Sequence, residues 1–234
     1  MDDPVKKSSY ESPLRAAQAQ ATRRAIVAAA ARLFVEHGYG ATTVDAIAQA
    51  AGVSRKTVFT SVGGKAAAIK LALDWAAVGD DEPIAHMERP AVTALKQEPD
   101  ARKILAGYAA LNSEIGGRVS ELQCAVEAVA GADEELRSLA ESFAAQRRFG
   151  MGDLAEQLAG RGALRPGMAV DEAGDVLWMM SSPANYRWFV LSRGWSPQHY
   201  AHWLGDALVS LLIDPQYHPP ATAEADTARG VKKR

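Results

Sequence analysis

Apolar residues recur along this chain at helical spacing almost from end to end. Ile26, Ala30, Leu33 and Phe34 mark a long first helix that opens at Ser12-Pro13, continues to His37 and stops at Gly38 and Gly40. Val44, Ile47, Ala48 and Ala51 then fall at i, i+3, i+4 and i+7, which predicts a short helix over Thr43–Ala51. Thr42 and Asp45 have the spacing of a capping pair at its start. Gly52 follows at once and suits a left-handed residue that turns the chain sharply. Ser54 is a good N-cap for the next helix, Arg55–Val62, with Val58 and Val62 inward. Its outer face carries Arg55, Lys56, Thr57, Thr60 and Ser61. Two short helices, a glycine turn and a polar, basic outer face make a helix-turn-helix pattern.

After Gly63-Gly64, a fourth helix is predicted from Lys65 to about Val78, with Ile69, Ala72, Leu73 and Ala76 inward. The chain between Gly79 and Pro99 is irregular, with a helical turn at Ala91–Gln97. Helices are expected at about 101–115, 118–130 and 133–160, separated by Gly116-Gly117 and Gly131. Another runs from Val170 to Ser192, bent at Pro183, and a last one from Ser196-Pro197 to Ile213. No segment alternates like a strand, so the expected class is all-α, with nine or ten helices. The expected organisation is a helix-turn-helix domain over 1–64, with flexible residues 1–12. A helical domain over 65–213 and a disordered tail over 214–234 would follow.

The formal net charge is only −2, but it is unevenly spread. Residues 1–65 hold nine bases and five acids, a net of +4, which leaves 17 bases and 23 acids, a net of −6, on the rest. A basic head on an acidic body suits phosphate attraction at one end. A single cysteine, Cys124, excludes an intramolecular disulfide. The N-terminus lacks the apolar core of a signal peptide, and no run of 18 apolar residues suggests a membrane span, so a cytoplasmic protein is expected.

The segment ATTVDAIAQAAGVSRKTVFTSVGGK, between a phenylalanine- and glycine-bearing helix end and an apolar fourth helix, resembles the TetR family of bacterial transcriptional regulators. The resemblance covers about residues 22–75. It implies a homodimer formed by the last two helices of each subunit and central helices enclosing a pocket for a small-molecule effector. It places Ser54, Arg55, Lys56, Thr57, Thr60 and Ser61 on or at the start of the DNA-recognition helix. Phe59 and Lys65 match positions that often touch the phosphate backbone, and Thr43 joins them, with Arg23 and Arg24 either phosphate contacts or a solvated basic face. The chain departs from the family at Phe59, where tyrosine is common, and at Ser61, where a longer side chain is usual.

Aromatic and polar residues on the central helices, Trp75, Tyr108, Asn112, Trp178, Met179 and Tyr186, are the candidate pocket residues; at helical spacing they equally suit plain core. His199 and His202 share a helix face without a third ligand beside them, so no metal site is expected. No catalytic motif and no phosphate-binding glycine loop is present, and neither an enzyme nor a cofactor is expected. The reading is a dimeric regulator that binds a double-stranded DNA operator, acts as a repressor and is released by an effector. The alternative is an all-α small-molecule-binding or protein-interaction module with a vestigial helix-turn-helix.

Overall fold

A computed structural model describes residues 13–82, 84 and 86–220. The flexible segment expected at 1–12 and most of the expected tail lie outside the described residues. Ten α-helices are present among the described residues, with no strand beyond one isolated bridge between Leu164 and Ile213.

Helix α1 spans Pro13–Ala41, broken at Gly38, whose φ of 78° and ψ of 168° no helix contains. Helix α2 spans Val44–Ala50 and α3 spans Arg55–Val62. The cap of α2 is Thr43, not Thr42: the Thr43 hydroxyl accepts from the Ala46 amide at 3.1 Å. Thr42 is buried and donates instead to the Gly38 carbonyl at 2.8 Å, so it ties down the break before the helix begins. Gly52 takes the expected left-handed conformation, φ 68°. Ser54 caps α3 by accepting from the Thr57 amide at 3.1 Å.

Helix α4 covers Lys65–Val78, and a 3₁₀ turn at His86–Glu88 leads into α5, Pro90–Gln97. Helix α6, Ala101–Val129, is one continuous helix where the glycine pair predicts two. The reason is packing. Helix α9, Pro183–Tyr186, lays Tyr186 over Gly116, where a Cβ would stand 2.7 Å from the ring. The glycines are there for close approach and not for a turn. Helix α7 is Glu134–Gly160 and α8 is Val170–Met180. Pro183 does more than bend the expected helix: the chain stops at Ser181-Ser182 and restarts with Pro183 in the first turn of α9. A π-helical turn at Arg187–Ser192 follows, and α10, Pro197–Leu212, is capped by Ser196.

The expected tail does not begin at 214. Tyr217 is buried; its hydroxyl donates to the Pro99 carbonyl at 3.2 Å and Arg102 donates to the Tyr217 carbonyl at 2.9 Å.

Two apolar cores form. One joins α1–α4 to Val119, Leu122 and Val126 of α6 and Leu136 and Leu139 of α7. The other gathers the first half of α6 with the ends of α7, α8 and α10 around the fully buried Tyr200. Helix α10 crosses α6 closely because Gly205 faces the Ala106 backbone, where a Cβ would lie at 3.4 Å.

Gly116→Ala should therefore cost ~1–3 kcal/mol of stability, since the near end of the Tyr186 side chain has to shift. Gly131→Ala, with open space around it, should stay within ~0.5 kcal/mol of wild type. Urea unfolding followed by circular dichroism checks both, and equal effects at the two positions would contradict the packing account.

Candidate nucleic-acid interface and internal cavity

Helix α3 is held by its two inward valines, Val58 at 0% and Val62 at 8% exposure, against α1 and α2. Its other side faces out. Ser54, Arg55, Lys56, Phe59 and Thr60 are exposed there, and Thr57 and Ser61 are half-buried. Thr43 is exposed at the start of α2 beside them in the motif.

The polar groups on this surface are not equally free. The Arg55 guanidinium donates to Asp45 in the first turn of α2 at 2.7 Å and lies 5.7 Å from the centre of the Phe59 ring. Thr60 returns its hydroxyl proton to the Lys56 carbonyl at 3.1 Å. Ser54 and Thr57 share a hydroxyl–hydroxyl bond of 2.8 Å. Lys56 is the one basic residue of α3 outside any ion pair among the described residues, so its ammonium projects unopposed.

Lys65 behaves differently. Its ammonium donates to the Tyr39 carbonyl at 2.8 Å and stands 3.5 Å above the Tyr39 ring. Burial holds its pKa below the usual lysine value. The residue joins the end of α1 to the start of α4. Arg24 is likewise engaged: it grips Asp81 with bonds of 2.6 and 2.7 Å, and Gln20 donates to the same carboxylate. Those contacts tie α1 to the segment just after α4.

Between α4, α5, α6 and α7 lies a cavity of about 1180 Å³. Tyr108, Asn112 and Tyr186 of the candidate pocket residues line it. Trp75, Trp178 and Met179 do not. Trp75 faces a shallow recess beside Arg24, Asp81 and Arg118, and Met179 is 55% exposed on the outer side of α8. Trp178 lies just behind the wall, with the Arg147 guanidinium 4.6 Å from its ring. The walls are mostly apolar, with Leu73 and Ala77 from α4, Leu111, Ile115 and Val119 from α6, and Phe143 and Leu154 from α7.

The polar groups converge at one end. Tyr108 donates to the Met151 sulfur at 3.0 Å and Asn112 to the Ser181 carbonyl at 3.2 Å. Burial pushes the Tyr108 pKa up to about 12, so its hydroxyl keeps its proton. Arg147 donates to the Trp178 carbonyl and, at 3.5 Å, to the Ser181 hydroxyl; burial is the main influence on its pKa and lowers it. Arg147 is a polar cavity residue that sequence reasoning passed over. A signal exists: Phe143, Arg147, Met151 and Leu154 form an inward stripe on α7 with a single charge inside it.

Cys124 is half-buried, and burial is the leading cause that raises its thiol pKa. His202 pairs with Asp206 at 3.5 Å and His199 packs on Trp195. Among the described residues no group of His, Cys, Asp and Glu is placed to hold a metal ion. No helix among them is long and apolar enough to cross a membrane.

The family model described as "Bacterial regulatory proteins, tetR family" matches residues 26–67, the span from mid-α1 to the start of α4. No curated protein matches the chain in sequence. Solved structures match its fold over most of its length. The repressor NalD of the MexAB-OprM multidrug efflux pump in Pseudomonas aeruginosa is 23% identical, with a TM-score of 0.62, covering 85% of this chain and 99% of its own. The SmeT protein in complex with triclosan is 18% identical, with a TM-score of 0.64, covering 86% and 97%. A ketosteroid transcriptional regulator of Mycobacterium tuberculosis is 18% identical, with a TM-score of 0.57, covering 82% and 95%. The helix-turn-helix segment thus matches the model of the TetR family of bacterial regulatory proteins in sequence, and the chain as a whole shares its fold with solved regulators described as members of that family.

Proposed function

We propose that this protein is a cytoplasmic, DNA-binding transcriptional repressor that acts as a homodimer and leaves its operator when a small molecule fills the cavity. The observation that carries the reading is the exposed face of α3, held by capping and two buried valines, with Lys56 in its first turn outside any ion pair among the described residues. A helix presented this way fits the major groove of double-stranded DNA, where a lysine reads guanine acceptors. Thr43, Ser54, Arg55, Thr57, Phe59, Thr60 and Ser61 frame it. Lys65, bound to Tyr39, supports the domain from within.

The second copy would pair through the last two helical segments. Trp188 at 59% exposure, Leu191 and Leu211 give that side of the molecule an apolar surface that water covers poorly in a monomer. Two α3 helices then address half-sites ~34–36 Å apart, one duplex turn, or a multiple of it.

The cavity reaches the DNA-binding head through α4. Leu73, Ala77 and Val78 of α4 form part of its wall, and the same helix packs on α1. Arg118 of α6 holds the last turn of α4 through the Ala76 carbonyl at 2.7 Å. Asp81 ties the following segment to α1, and Asp80 holds Arg89 at 2.7 Å. A ligand that prefers one placement of α4 shifts the pair of α3 helices and lowers DNA affinity by its differential binding free energy and no more. The repressor NalD and the triclosan-binding SmeT, similar in fold, support both halves of the reading.

Against a duplex enriched by the protein from a random pool, log affinity should fall linearly and steeply with log salt. Lys56→Ala should cost ~1–3 kcal/mol of discrimination for that duplex over a scrambled one. Fluorescence anisotropy measures both; equal affinity for all duplexes in wild type and variant would favour an interaction module with a vestigial helix-turn-helix. Asp81→Asn should speed amide hydrogen exchange over residues 79–89 while leaving α6 protected. Exchange unchanged in that segment would show that the Arg24 contact does not restrain it.

A further inference from the structure

The cavity wall holds acids and bases, and one base at its polar end has no carboxylate within ion-pair distance. Arg147 sits in an otherwise apolar stripe of α7. One of its terminal nitrogens reaches the Trp178 carbonyl and the Ser181 hydroxyl, while its Nε is buried with no hydrogen-bond partner. No ion pair among the described residues includes it. The acids around it do not pair with it: Asp74 is held by Lys70 at 2.6 Å, Asp153 and Glu156 stand beyond ion-pair distance, and Glu127 of α6 favours its charge only from outside that distance. The neighbouring polar groups are donors as well. Asn112 spends one amide proton on Ser181, and the Tyr108 hydroxyl spends its own proton on a thioether, a weak acceptor.

A guanidinium taken partly out of water needs an acceptor for each of its N–H groups and a counter-charge. Here the carbonyl end of α8 supplies some of that, since cations are favoured at helix C-termini. The rest is unmet. Resting on the reading of this cavity as the effector site, the geometry points to an effector class. The effector is an apolar molecule carrying one compact oxyanion, a carboxylate or sulfonate. Its anion lies against Arg147, with Tyr108 and Asn112 as further donors, and its body lies along Leu111, Ile115 and Phe143. Charge-assisted bonds from a planar guanidinium fix such a group in orientation as well as place.

Two fluorescent probes that share a body and differ by one sulfonate test this on the full-length protein. They are 8-anilinonaphthalene-1-sulfonate and its neutral counterpart N-phenyl-1-naphthylamine. Arg147→Gln should weaken the sulfonate at least tenfold and the neutral probe less than twofold, and Arg147→Lys should restore part of the sulfonate's affinity. Leu111→Trp, which fills the cavity, should weaken both, with circular dichroism confirming that each variant folds. A sulfonate unaffected by Arg147→Gln, or both probes weakened equally by it, overturns the anionic class and leaves Arg147 as a cap on α8; loss of both in Leu111→Trp would still uphold the cavity as a binding site. If Leu111→Trp changes neither probe, or neither binds wild type, the cavity reading fails and the effector class with it.

Discussion

Helix α6 is the member on which the rest of the structure depends. Its 29 residues, ~44 Å of helix, belong to both apolar cores. Its first half packs with α10 around Tyr200, and its second half contributes Val119, Leu122 and Val126 to the core of the DNA-binding head. That continuity requires the helix to pass straight through Gly116-Gly117, which it does because Tyr186 occupies the space where side chains would be. The cavity then lies along one side of a rigid rod, and α4 closes it from the head. A molecule in the cavity presses against a fixed wall on one side and against the helix that carries the head on the other.

The electrostatics divide the work in the same way. On α3, Arg55 is paired with Asp45, which leaves Lys56 as the basic residue of that helix outside any ion pair among the described residues, the one proposed to read DNA. In the cavity, Arg147 has no carboxylate within ion-pair distance and leaves its buried Nε without a hydrogen-bond partner. The Arg24–Asp81 and Arg89–Asp80 pairs sit between these regions, each joining a solvent-facing side chain to a mostly buried one.

Much of this is legible in the sequence where local chemistry decides it. Gly52, Ser54 and Gly63 fix α3 to the residue, because a left-handed glycine and a serine cap act within one turn. The start of α2 is off by one residue for a reason that is not local: Thr42 and Thr43 are equal as caps, and only the broken backbone at Gly38 claims the first of them. Gly116-Gly117 reads as a break until Tyr186, seventy residues away, is placed over it. The cavity is the least legible part. Tyr108, Asn112 and Tyr186 reach it, but aromatic identity does not distinguish Trp75, on the opposite face of α4, from a lining residue. A charge in an apolar stripe, Arg147, is the better sign, since its cost demands an explanation.

The central claim is that the cavity and α3 share one equilibrium. It is tested most directly by measuring the affinity of N-phenyl-1-naphthylamine with and without saturating operator duplex, and the affinity for that duplex with and without saturating probe. Linkage predicts that each weakens the other by the same factor. Probe affinity that is identical with and without bound DNA would contradict the account.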